Sequence, residues 1–105
     1  MAVTSKNLAR AAASLTTTTV LYTVPASTTT VVTNIAVANT AASAGTFTLA
    51  LGPSGSQVAL HTTTAIAANT TVYIDCKQVI VATNTVTGGA SATTINFHIA
   101  GVEIV

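Results

Sequence analysis

The feature that most constrains the fold is a two-residue alternation of apolar and polar side chains, which begins near Thr18 and continues to the end of the chain. Successive side chains of a β-strand point to opposite faces, so a period of two is the period of a half-buried strand. Thr and Val are frequent in this part of the chain, and both are stiff at the branched β-carbon and suit a pleated surface. The pattern therefore predicts an all-β chain.

Turn residues divide the alternation into short segments. Within one segment, residues 31–38, we predict that Val31, Thr33, Ile35 and Val37 share a face. Residues 52–56 and 87–91 are rich in Gly and Ser and are predicted as turns. The predicted strands are residues 18–24, 31–38, 46–51, 58–60, 70–76, 78–82 and 95–100. We therefore expect one small antiparallel β-sandwich, jelly-roll-like and of about six to eight strands, over residues 16–105.

Residues 1–15 precede the alternation and are predicted as an N-terminal arm. Ser5 could cap a short helix with Ala-rich turns behind it. An extended arm fits equally well, because about ten residues with little apolar periodicity make a marginal helix. Lys6 and Arg10 lie four residues apart, so a helix would place them on one face. These two residues are the candidate partner-binding site.

The charge of the chain is unusually low. Charged residues make up 5% of the 105 residues and the formal net charge is +1, whereas the usual charged share is about 25%. Three basic residues cannot neutralise a row of phosphates, which argues against binding to nucleic acid. A chain that is 50% hydrophobic also does not resemble a disordered one. Because so many apolar residues are small, we expect a thin core and added stability from a homo-oligomer.

The residues that could carry chemistry are few. Cys76 is the single cysteine, so neither an internal disulfide nor a multi-cysteine zinc site can form. A nucleophilic set of Cys76, a histidine and Asp75 is conceivable, but Cys76 alternates in phase with Val72 and Ile74 and is predicted to be buried. We expect no enzymatic activity, no small-molecule substrate and no cofactor.

Three further patterns are interpreted as surface features. Asp75 and Lys77 are predicted to share a strand face as a weak surface pair. Repeated Thr-x-Thr spacing resembles the ladders of ice-binding proteins, but its irregular intervals favour a solvated sheet face. Tyr22 and Tyr73 are the tyrosines that could stack on a bound sugar. The residues that could be combined into a metal site show no convergent spacing, so no metal is predicted; they are His61, His98, Asp75 and Glu103.

Targeting and membrane segments are not predicted. The first 15 residues lack the apolar stretch of a secretory signal, and no stretch approaches the roughly 20 apolar residues of a membrane span. We expect synthesis in a cytoplasm without export and without membrane association.

Several short motifs resemble small β-rich virion proteins of tailed bacteriophages. The first is LYTVPA at residues 21–26, followed by a Thr-rich turn and IAVANT at residues 35–40. The later motifs are AANTTV at residues 67–72 and FHIAGVE at residues 97–103, so the likeness spans residues 21–105 and leaves the arm uncovered. The resemblance implies a non-enzymatic structural subunit with a β-sandwich fold.

Within that resemblance, the size of a free-standing module favours a capsid decoration (cement) protein. Such a protein would bind the outside of a phage head, with the major capsid protein as its partner, and we expect it to be a homo-oligomer, specifically a trimer. The arm would supply a contact to the shell. The alternatives are a tail, neck, fibre or baseplate subunit, and more remotely a carbohydrate-binding module.

Overall fold

A computed structural model of the chain describes residues 2–105, which form eight strands and no helix. The strands are β1 (Val3–Ala12), β2 (Val20–Thr23), β3 (Thr29–Asn39), β4 (Gly45–Gly52), β5 (Val58–Ile66), β6 (Thr70–Ile80), β7 (Thr85–Ala90) and β8 (Ile95–Ile104).

The strands pair into two antiparallel sheets of four, in the orders β1-β8-β3-β6 and β2-β7-β4-β5. Consecutive strands thus alternate between sheets over much of the chain, which is the strand order of a jelly roll. The predicted all-β class and small antiparallel sandwich are confirmed, with eight strands. The segments predicted as separate strands at 70–76 and 78–82 are one continuous strand, β6.

The core lies between the inner faces of the two sheets. Phe47 of β4 and Phe97 of β8 meet across it in an edge-to-face arrangement, with ring centroids 6.4 Å apart. Apart from Thr30, the other large side chains that are fully buried are aliphatic: Ile35, Leu49, Ile66, Ile95, Ile99, Val24, Val32, Val37 and Val86. Two aromatic rings and aliphatic side chains therefore fill most of the space between the sheets.

An irregularity crosses the sheet β1-β8-β3-β6 at Thr33. On β3, one residue, Thr33, lies between Val32 and Asn34. The partners of Val32 and Asn34 are adjacent on β8 but are separated by two residues on β6. This bulge shifts the phase of β3, so Val32 is buried together with Ile35 and Val37, while Thr33 is exposed. The prediction that Val31 and Thr33 share a face with Ile35 is therefore wrong, because an extra residue reverses the alternation.

The N-terminal segment forms a strand, so the helical alternative for residues 5–15 is wrong. β1 pairs with β8 along its whole length and forms an edge of its sheet. Its own bulge directs Leu8 and Ala9 toward the core, and backbone pairing to β8 replaces the bonds a helix would make. Residues 3–12 therefore belong to the sandwich itself, although they were predicted as an arm preceding residues 16–105.

The Gly-rich segment predicted as a turn at residues 87–91 is mostly strand, because β7 ends only at Ala90. A Cβ on Gly89 would lie 2.5 Å from the Thr16 carbonyl oxygen, and one on Gly88 would lie 2.7 Å from that of Thr48. Gly88 and Gly89 therefore allow neighbouring backbone to approach the buried strand closely. From the sequence alone, glycines with this role look the same as glycines in a turn.

Candidate functional site

The charged side chains are confined to one sheet. Lys6 and Arg10 lie on β1, Asp75 and Lys77 on β6, and Glu103 on β8, and these are all the charged side chains of the chain. The sheet β1-β8-β3-β6 is hereafter the charged sheet. The other sheet, β2-β7-β4-β5, and all the connecting segments carry no Lys, Arg, Asp or Glu, and we call it the uncharged sheet.

The two candidate partner-binding residues lie on opposite faces of the charged sheet. Lys6 pairs in register with Gly101, which is buried on the inner face of β8. Arg10 pairs with His98, which lies on the outer face of β8. The bulge at Leu8 causes this separation, because one extra residue reverses the faces beyond it. The expectation that both residues share a face is therefore wrong, and Arg10 alone of the two is presented on the outer face.

Lys6 belongs to a polar cluster between the sheets, formed by Lys6, Glu103, Tyr22 and Thr30. The Lys6 ammonium donates to both carboxylate oxygens of Glu103, at 3.3 and 3.4 Å. The Tyr22 hydroxyl donates to the same carboxylate and lies 2.9 Å from the Thr30 hydroxyl. Tyr22 is on β2 and Glu103 on β8, so the cluster joins the two sheets near the β1 edge.

Burial and hydrogen bonding shift two pKa values in this cluster. Burial raises the pKa of Tyr22, and the hydrogen bond to the negatively charged Glu103 raises it further. The hydrogen bond from Tyr22 lowers the pKa of Glu103, and Lys6 lowers it in addition. Near neutral pH the cluster therefore holds an ionised carboxylate against a protonated phenol and an ammonium.

Sequence reasoning missed this cluster, although a signal for it was present. The inward positions of the last strand follow each other every second residue, from Ile95 through Phe97 and Ile99. Continuing that period reaches Gly101 and then Glu103, which marks a carboxylate on the inner face.

The remaining chemistry-bearing residues are dispersed. Among residues 2–105, no three His, Cys, Asp or Glu side chains lie close enough together to hold a metal ion. His61 lies on β5 beside the Phe47 ring, with centroids 5.4 Å apart, while His98 lies on β8 in the other sheet. Cys76 packs against the core and donates to the Val32 carbonyl at 3.5 Å. Burial raises the pKa of this thiol, so it is neutral near pH 7.

Two depressions open on the surface. The first is a cleft between the edge strands β5 and β6, lined by Leu51, Gly52, Val58, Ala59, Leu60, Gln78, Val79, Ile80 and Asn84. The second, which we call the bulge groove, is an open groove lined by Thr33, Asp75, Cys76 and Lys77. Asp75 accepts a hydrogen bond from the Asn34 amide at 3.3 Å. The sequence instead predicts a surface pair of Asp75 with Lys77.

No stretch of helix that could cross a lipid bilayer occurs among residues 2–105. No protein-family model and no curated protein matches the sequence. Among solved structures, the chain is similar to a chain in a structure of the Gx strain of infectious bursal disease virus, with a TM-score of 0.51 and 12% sequence identity. The match covers 97% of this chain and 32% of that one, so this chain spans about a third of the other's length. At this identity the likeness shows the fold alone.

Proposed function

We propose that the protein is a structural subunit of a virion, and specifically a decoration protein on the outside of a tailed-phage head. The observation that carries the proposal is the jelly roll itself, which nearly the whole chain shares with part of a chain in a virus structure. The motifs at residues 21–26, 35–40, 67–72 and 97–103 support the tailed-phage assignment by resemblance.

The distribution of charge supports a place in an assembly. Charged residues are depleted at the centres of protein interfaces, and the uncharged sheet offers a whole side of the molecule without any. A net charge of +1 also gives little repulsion between copies held close together. The protein is therefore suited to packing against other subunits through its uncharged side, in a homo-oligomer that we propose to be a trimer.

Arg10 remains the candidate for contact with the major capsid protein, since its side chain is exposed on the outer face of the charged sheet. Lys6 already pairs with Glu103, so contact through Lys6 would compete with that pair. The proposed role is non-enzymatic and requires no cofactor.

The test is reconstitution on phage heads. Purified protein is added to heads prepared without it, and co-sedimentation and a cryo-electron microscopy map of the particles are recorded. We expect saturable binding at fixed positions between capsomers and increased resistance of the heads to heat. Absence of binding to tail-less heads contradicts the decoration role. Density on tails or baseplates alone supports the alternative, a tail, neck, fibre or baseplate subunit.

A further inference from the structure

We infer that the bulge groove, together with the exposed ring of Tyr73 beside it, is a binding site for a neutral carbohydrate. This inference does not rest on the proposed function, because it concerns the isolated chain and a different surface from the uncharged sheet.

The bulge creates the groove. Opposite Thr33, β6 contains two residues, Cys76 and Lys77, so the hydrogen-bonded pairing of the two strands is locally disrupted. The groove has a volume of about 540 Å³ and is open to solvent. The groups that line it are therefore accessible to a ligand from solvent.

The groove offers both donors and acceptors of hydrogen bonds. Asp75 supplies carboxylate oxygens and Lys77 an ammonium, and the Thr33 hydroxyl can accept while it donates to the Ala100 carbonyl at 3.3 Å. The Asn34 amide holds Asp75 by one oxygen, which leaves the second carboxylate oxygen and the Asn34 carbonyl free for a ligand. Sugar hydroxyls donate and accept at once, and therefore match this mixture.

Tyr73 provides an apolar platform next to these polar groups. Its side chain is 70% exposed and lies two residues from Asp75 on the same face of β6, about 7 Å away. Its partner in register is Ala36, whose methyl group is too small to cover the ring. An exposed aromatic face can therefore stack on the C–H side of a sugar, while the groove bonds its hydroxyls.

The balance of charge favours a neutral ligand over the other classes. Asp75 and Lys77 bring opposite charges to one groove, so neither an anion nor a cation gains from its net charge. A single carboxylate is too few ligands for a divalent cation. A purely apolar ligand would remove water from Asp75 and Lys77 without replacing its hydrogen bonds, which disfavours such a ligand.

The experiment uses the full chain, biotinylated and displayed on streptavidin so that several copies bind at once. It is applied to an array of bacterial and plant oligosaccharides, and the best-bound oligosaccharide is titrated calorimetrically. We expect a defined set of neutral glycans to bind. Tyr73→Ala and Asp75→Ala should each weaken the binding about tenfold or more, since each removes a stacking face or a charge-assisted hydrogen bond.

Matched controls separate the groove from general effects. Thr62→Ala lies on the uncharged sheet, outside the proposed site, and should leave binding unchanged. Tyr73→Phe keeps the stacking face and should retain most of the binding that Tyr73→Ala loses. Denaturation of each variant is measured; all three positions are exposed, so the four variants should unfold like the parent. The inference is overturned if no glycan binds, or if binding is equal in the parent, Tyr73→Ala and Asp75→Ala.

Discussion

Glu103 is the residue whose placement departs most from an ordinary sandwich, because a carboxylate stands at an inward position of a strand. Its side chain is 12% exposed. Removing a charge from water is costly unless partners replace the water, and Lys6 and Tyr22 supply those partners. The period of the last strand places Glu103 inward from sequence alone. Its partners come from residues 81 and 97 positions away, which no local pattern reveals.

The first prediction concerns the hydroxyl group of Tyr22. Tyr22→Phe removes the hydrogen bond to Glu103 and leaves the Thr30 hydroxyl, which is fully buried, without that partner. Unsatisfied buried groups cost about 1–3 kcal/mol, so we expect the free energy of unfolding in urea to fall by that amount. Tyr73→Phe, at an exposed tyrosine, is the control and should change it by less than about 0.5 kcal/mol. Equal stability of the two variants would contradict the cluster.

The second prediction concerns pH. The lowered pKa of Glu103 means that folding favours its ionised form, so its contribution is present above the unfolded pKa of about 4.3 and is lost as the pH falls through the folded pKa. The raised pKa of Tyr22 favours the protonated phenol, so stability falls as the pH rises above about 10.

Urea unfolding between pH 2 and pH 11 measures both effects. Glu103→Gln cannot titrate at this position and should lose less stability than the parent between pH 7 and pH 3. Since Asp75 and the chain terminus are present in both proteins, the difference isolates Glu103. If both proteins lose the same stability between pH 7 and pH 3, the assigned contribution of Glu103 is refuted.

At the level of the elements, strands were predictable where the alternation is uninterrupted and misassigned where it is not. The alternation is uninterrupted in the segments predicted as strands at 46–51 and 95–100, and their alternate residues Phe47, Leu49, Ile95 and Phe97 are buried in β4 and β8. β3 changes phase at Thr33 because bulges are set by pairing with neighbouring strands. β1 lacks apolar alternation and is a strand because β8 offers it an edge. Such features depend on long-range contacts, which a local pattern does not contain.

The third prediction tests the bulged region through Gly101. A Cβ at this position would lie 2.3 Å from the Val31 carbonyl oxygen and 2.9 Å from Cδ1 of Leu8. The backbone oxygen cannot move without disturbing the pairing of β3 with β8, so Gly101→Ala should lower the free energy of unfolding by about 1–3 kcal/mol. The adjacent Ala100→Ser, on the exposed face, should be within about 0.5 kcal/mol of the parent. A fully stable Gly101→Ala protein would show that the close approach is dispensable.

For the whole molecule, the all-β class and the two-sheet sandwich follow from the two-residue alternation and the predicted turns. The order of the strands within the sheets does not. A jelly roll brings β1 beside β8 and β2 beside β7, pairs that are far apart in sequence. The same pairing gathers Lys6, Arg10, Asp75, Lys77 and Glu103 into one sheet. The low total charge was visible in the composition, but its segregation to one side became visible only with the topology. That segregation distinguishes two sides of the sandwich that could contact a particle.

The last prediction decides between those two sides. Ala65 is exposed on the outer face of the uncharged sheet and Thr71 is exposed on the outer face of the charged sheet, so a lysine at either adds the same charge to a different side. If the uncharged sheet packs against other copies of the chain, Ala65→Lys should weaken self-association, measured by analytical ultracentrifugation, about tenfold or more, because a charge would be buried without a partner. Thr71→Lys should self-associate like the parent, and thermal denaturation checks that both variants fold. The reverse result, with self-association lost in Thr71→Lys and kept in Ala65→Lys, would place the contact between copies on the charged sheet and refute packing through the uncharged one.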